Sequence, residues 1–206
     1  MSGDYRAISV TELITKRYNQ MEFTGAWKRS LGCPELAGTW IIYGKPKNGK
    51  TAFALMLCKY LTRFAKVAYD SLEEGTSVTL RDAFLRVGML EVKGRIVLLN
   101  KEPIPQLILR LRRQKSPQII VIDSLQYTGM NYNEYKALKD EFPHKLFIFI
   151  SHAEGKEPAG RVARAVRYDA NITIMVEAFK AFASGRYGGG EPFVIWPDEA
   201  IKYWGN

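Results

Sequence analysis

Short apolar runs rich in β-branched and aromatic residues alternate along this chain with longer stretches of helical periodicity. Trp40 to Tyr43, Val67 to Tyr69, Ile96 to Leu99, Ile119 to Ile122 and Leu146 to Ile150 read as strands. Between them, Ala52 to Ala65, Thr79 to Val87, Pro105 to Gln114 and Glu134 to Phe142 read as helices. Most of the strands are apolar on both faces. Strands of that kind separated by helices require a parallel sheet covered on both sides. Upstream, Val10 to Met21 predicts a short helix opened by Thr11 with Glu12 in its first turn, and Gly32, Pro34 and Gly38 lead into the first strand. The end of the chain changes pattern. Ile172 to Val176, Ala178 to Ala183 and Phe193 to Trp196 read as strands joined by short connections, the last pair across a segment holding Gly188, Gly189 and Gly190. The expected class is therefore α/β: a mostly parallel central sheet flanked by helices, with a C-terminal antiparallel hairpin extension.

Composition narrows this further. A length of 206 residues suits one full-sized domain, read as a helical lead-in over 1–38 and a core over 39–206. Hydrophobic residues at 47% and charged residues at 25% exclude a disordered or fibrous chain. Cys33 and Cys58 are the only cysteines and there are two histidines, too few for a disulfide scaffold or a zinc site. No apolar run reaches the roughly 18 residues of a membrane span, and Met1 to Gln20 lacks the apolar stretch of a signal peptide. A cytoplasmic protein with no membrane partner is expected. Thirty basic and 21 acidic residues give a net charge of +9, which suggests a polyanionic partner. The excess lies in residues 1–150, because 151–206 hold seven of each sign.

The segment GKPKNGKT, Gly44 to Thr51, fits GxxxxGK[ST] between a predicted strand and a predicted helix. Gly44, Lys45, Pro46, Lys47, Asn48, Gly49, Lys50, Thr51 and the following Ala52 would expose backbone N–H groups at a helix N-terminus, where polyphosphate binds. Lys50 would reach the terminal phosphates and the Thr51 hydroxyl would meet Mg²⁺. Asp123, at the carboxyl end of the fourth strand, suits Mg²⁺ coordination through water, or else a helix cap. The second strand runs into Ser71-Leu72-Glu73-Glu74-Gly75, which sets adjacent carboxylates at the same sheet edge, either to orient an attacking water or to open the next helix. Ser151 and His152 end the fifth strand, where a residue can sense the γ-phosphate or cap a turn.

Taken in order, the phosphate loop, SLEE, IDSLQ, ISHAEG and ASGRYGGG resemble the RecA superfamily of P-loop ATPases, in particular its RadA-like and DnaB-helicase-like branches. The resemblance covers roughly residues 30–200. It implies a RecA-like core and nucleotide binding by Gly44 to Thr51, with Glu73 catalytic, Asp123 coordinating Mg²⁺ and His152 sensing the γ-phosphate. Arg186 would then be an arginine finger acting in trans. Helicase-like members usually place a lysine two residues before the finger. Here Ser184 stands there, so stimulated hydrolysis is expected to be weaker or to use Lys180. In ring or filament members, the loops after strands four and five face a central channel and bind DNA. In this chain the first runs from Tyr127 to Tyr135, with Tyr127, Tyr132 and Tyr135 as base-stacking candidates. The second, Ala153 to Asp169, carries Lys156, Arg161, Arg164 and Arg167 among Gly155, Pro158 and Gly160. A solvated basic face and ordinary tyrosine packing are the alternatives. Arg110, Arg112, Arg113 and Lys115 are expected to satisfy a helix C-terminus. The resulting expectation is an ATP- and Mg²⁺-dependent ATPase that assembles into a hexameric ring or filament. It would act on DNA, preferably single-stranded, in replication, recombination or repair. The alternative is an ATP-switched, KaiC-like interaction or regulatory module without DNA coupling.

Overall fold

The structure is a computed structural model that describes residues 6–205; residues 1–5 of the predicted lead-in lie outside the described residues. In chain order its elements are α1 (Val10–Thr15), α2 (Gly25–Leu31), β1 (Gly38–Gly44), α3 (Lys50–Leu61), β2 (Val67–Ser71), α4 (Val78–Val87), β3 (Ile96–Asn100), α5 (Ile104–Leu111) and β4 (Ile119–Asp123). There follow α6 (Tyr132–Glu141), β5 (Leu146–Glu154), β6 (Glu157–Pro158), α7 (Arg161–Asp169), β7 (Ile172–Glu177), β8 (Lys180–Gly185), β9 (Phe193–Val194) and α8 (Pro197–Trp204). No described helix is long and apolar enough to cross a membrane.

The strands form one sheet in the order β3-β2-β4-β5-β1-β7-β8-β9, with β6 folded back onto the end of β5. Pairing is parallel from β3 through β7 and antiparallel from β7 to β9. This is the expected class, a mostly parallel sheet with an antiparallel extension. The continuous apolar runs are explained by burial on both faces. Along β5, Phe147 and Phe149 pack on the α5–α6–α7 side while Leu146, Ile148 and Ile150 pack on the α3–α4 side. Each such side chain contributes about 1.5–3 kcal/mol of transfer free energy, so the centre of the sheet is its most stable part.

Near the N-terminus the structure departs from the sequence reading. The helix stops at Thr15 and none of its residues is buried; its cap is Ser9, whose hydroxyl accepts from the N–H of Glu12, rather than Thr11. From Gln20 the chain is extended, bridging to Glu35, with the N–H of Met21 donating to the carbonyl of Pro34 at 2.7 Å. Met21 and Phe23 are both buried. That i, i+2 spacing sends both side chains to one face only in extended backbone, which overrides the helical pattern. Helix α2, absent from the sequence reading, seats Trp27 against Phe193 with ring centroids 4.1 Å apart.

A second departure concerns Ala153 to Asp169, expected as a flexible basic loop. It is a short hairpin followed by α7, whose Ala163 and Val166 are buried against the sheet. The apolar positions in RVARAVRYD recur at helical spacing, and burying them outweighs the loop-forming tendency of the flanking glycines.

Candidate functional site

Strand order alone gathers the site. Because β2, β4, β5 and β1 are neighbours, their carboxyl ends bring Ser71 to Glu73, Asp123, His152 and the phosphate loop to one edge. Gly44 and His152 are register partners across the β1–β5 pair. A Cβ on Gly44 would fall 2.2 Å from the carbonyl oxygen of Val176, so only glycine lets β7 pass this close. Gly49 caps α3 at φ 95, a left-handed conformation that glycine adopts without strain.

Lys50 folds over the loop, its Nζ donating to the carbonyl of Lys45 at 3.0 Å. Burial pulls its pKa down, while the nearby Asp123 and Glu73 carboxylates push it back up. Asp123 is itself raised to about 6, chiefly by burial. Its Oδ2 accepts the hydroxyl of the fully buried Tyr69, whose own pKa burial holds well above the ordinary value; Tyr69 therefore remains a proton donor. Thr51 and Asp123 offer hard oxygens of the kind Mg²⁺ takes. Among the described residues no cluster of three His, Cys, Asp or Glu groups could hold a metal by itself.

The two adjacent glutamates separate cleanly. Glu73 Oε2 accepts from Ser124 Oγ at 3.1 Å and lies 3.2 Å from His152 Nε2. Its backbone N–H donates to the carbonyl of Asp123 at 3.1 Å, which ties β2's exit to β4's. Glu74 turns away, accepting from Ser77 Oγ at 2.9 Å and Thr79 Oγ1 at 2.7 Å at the start of α4. Glu74 thus opens the next helix, while Glu73 stays at the sheet edge beside Ser124 and His152.

Several residues of the site carried no sequence signal of their own. Tyr69 holds Asp123. Gln126 joins β4's exit to β5's, donating to Ser151 Oγ at 2.8 Å and to the carbonyl of Ala159 at 3.0 Å, and accepting the N–H of His152 at 3.3 Å. Asn48, inside the phosphate loop, accepts the N–H of Ala178 on Oδ1 at 2.7 Å and that of Phe179 on its carbonyl at 3.2 Å.

The remaining predicted residues lie elsewhere. Arg186 follows β8 at the amino end of β1, beside Gly38, Thr39 and Asp169, across the length of the sheet from its own phosphate loop. Of the basic candidates, Arg164 pairs with Glu154 at 2.8 Å and Arg167 with Glu157 at 2.5 Å. Lys156 is exposed in the β5–β6 turn and Arg161 is exposed at the start of α7. Tyr135, expected to stack on bases, is buried, its hydroxyl donating to Asp169 at 2.6 Å. The capping box that starts α6 at Asn131 turns it inward, while Tyr127 and Tyr132 stay exposed. Arg110 and Arg112 are engaged by Glu102 and Glu141, in keeping with a structural role.

No protein-family model matches the sequence, and no curated protein matches it significantly. Solved structures do share the fold. The flagellar accessory protein FlaH from Methanocaldococcus jannaschii superposes with a TM-score of 0.61 at 17% identity, covering 86% of this chain and 94% of FlaH. The KaiC-like protein PH0186 from the hyperthermophilic archaeon Pyrococcus horikoshii OT3 gives 0.55 at 17% identity, covering 84% of this chain and 88% of the other. The fold is thus RecA-like over most of the chain.

Proposed function

We propose that the chain binds and hydrolyses ATP with Mg²⁺ at the carboxyl edge of its sheet. The observation that carries this is the convergence of a phosphate loop, a Tyr69-held Asp123 and a Ser124-held Glu73 on one edge. Phosphoryl transfer to water needs positioning and charge stabilisation more than covalent chemistry. Lys50 and the loop N–H groups would hold the phosphates. Thr51 and Asp123 would hold Mg²⁺, which neutralises the charge that develops on the phosphate oxygens. Glu73 orients the water and accepts its proton, and His152, 3.2 Å from Glu73, senses whether the γ-phosphate is present. Arg186, remote from its own loop, would serve a neighbouring subunit in a head-to-tail assembly. Lys50→Ala should abolish turnover, as read by phosphate release; a variant that hydrolyses at the parent rate would overturn the assignment.

Two readings of what hydrolysis drives follow from different observations. Exposed Tyr132, Tyr168 and Arg161 border an open groove of about 780 Å³ between α6 and α7, which favours single-stranded DNA held by stacking and phosphate contact. Neutralisation of Arg164 and Arg167 by carboxylates, together with the fold shared with the KaiC-like protein, favours an ATP-switched interaction module. Turnover with and without single-stranded DNA separates them. The DNA reading expects stimulation, and binding that falls steeply with salt; the module reading expects neither.

A further inference from the structure

Beside the phosphate loop lies a cavity of about 590 Å³ whose apolar walls none of the steps above uses. It begins at Thr51 and Ala52 on the first turn of α3 and is walled by Met56, Phe179, Ile195 and Trp196. Trp196 is half exposed, and its ring meets that of Phe179 edge to face, centroids 5.9 Å apart at 80°.

The backbone that presents Phe179 is unusual. Glu177 pairs with Lys180, so Ala178 and Phe179 form the two-residue turn between β7 and β8, both at positive φ, 42 and 60. Such turns ordinarily use glycine, asparagine or aspartate, and a bulky residue there is an outlier. The turn is pinned from the phosphate loop by both Asn48 contacts, and the N–H of Ile195 donates to the carbonyl of Phe179 at 2.9 Å, which sets Trp196 beside it. An aromatic side chain is therefore kept where glycine would cost least, and tied to the loop that would hold phosphates.

We propose that this cavity receives the base of the nucleoside triphosphate, stacked on Trp196 with Phe179 as its second wall. The inference rests on the phosphate-loop reading and adds to it which residues take the base. Among the described residues, the ionisable groups along the cavity are Lys47, Lys50 and Arg86, with no carboxylate or carboxamide lining it. A side chain of those types that would tell the 6-amino group of adenine from the 6-oxo and 2-amino groups of guanine is thus not among the described lining residues. Stacking recognises any base by its π-face and favours the larger purines, so the site should take both ATP and GTP.

Titration calorimetry of the full chain with Mg²⁺ and ATP, GTP or inorganic tripolyphosphate tests this. Trp196→Ala should weaken ATP and GTP roughly tenfold and leave tripolyphosphate unchanged, and Trp196→Phe should restore most of the loss. Phe179→Leu should weaken both nucleotides in the same selective way. Unchanged nucleotide affinity in both the Trp196→Ala and Phe179→Leu variants would overturn the proposal, as would a parallel loss of tripolyphosphate binding, which would mean that the aromatics act through the shape of the loop. If the parent protein binds neither ATP nor tripolyphosphate, the phosphate-loop reading itself falls, a result distinct from failure of the base site alone.

Discussion

Asp70 shows what a single residue on the wrong side of water does to this fold. It sits in β2 one residue before the strand turns into the site. Oδ1 accepts the N–H of Glu102 at 3.1 Å, while Oδ2 is buried with no hydrogen-bond partner among the described residues. Burial pushes its pKa up to about 6, from an ordinary 3.8. A folded-state pKa above the unfolded one means that the folded chain holds the proton more tightly. The cost is absent below the ordinary carboxylate value, grows as pH rises, and is complete above about 6. A difference of about two pH units corresponds to about 3 kcal/mol. Asp70→Asn should therefore be more stable than the parent by about 1–3 kcal/mol at pH 7.5, with the advantage largely gone near pH 4. Urea unfolding at both pH values checks this, and an advantage equal at both would show that Asp70 does not titrate on unfolding. Asp70 carries no signal in the sequence: an aspartate near a strand end reads as an ordinary exit residue, and only the sheet's depth reveals its isolation. Asp123 was legible for the opposite reason, since it follows IIVI at a strand end in a chain that already shows a phosphate loop.

At the scale of elements, α6 is the one whose start is written twice. Asn131 Oδ1 accepts the N–H groups of Asn133 and Glu134, and Glu134 Oε2 accepts the N–H of Asn131 at 2.7 Å. This reciprocal pair satisfies donors that a helix N-terminus otherwise leaves open. Asn131→Ala should cost about 1 kcal/mol and Asn131→Ser much less. If chemical denaturation shows Asn131→Ala within about 0.3 kcal/mol of the parent, packing of Tyr135 and Leu138 rather than the cap holds this helix. The strands of the parallel sheet were legible because burial on both faces leaves continuous apolar runs such as IIVID and LFIFI. Helix α7 was not, because Gly155, Pro158 and Gly160 punctuate its approach and its arginines hide two buried positions. Helix α8 was missed as well, although Pro197 at its first turn and Asp198 and Glu199 behind it are ordinary opening signals. The turn at Ala178 and Phe179 ran against local preference, which is why a strand was expected to begin inside it. Its conformation depends on Asn48, 130 residues earlier in the chain, a partner that no local pattern contains.

For the whole molecule the governing fact is polarity. The phosphate loop lies at the carboxyl edge of the sheet and Arg186 at the amino end of β1, so one chain cannot bring both to the same nucleotide. In the proposed head-to-tail assembly, repetition of one contact would let every copy lend Arg186 to the next. That arrangement predicts complementation. Lys50→Ala has a silent site but keeps its arginine, and Arg186→Ala has an intact loop but nothing to lend. Alone, Lys50→Ala should be inactive and Arg186→Ala slow, while Arg186→Ala still binds nucleotide as the parent does. Mixed in equal amounts, a random assembly joins an intact loop to a donated arginine at about one contact in four, so turnover should recover to about a quarter of the parent's. Recovery should grow with total protein concentration, because it depends on association. An Arg186 that worked within its own chain, or only braced the hairpin, would leave the mixture no faster than the average of its parts, and that result would remove the head-to-tail reading.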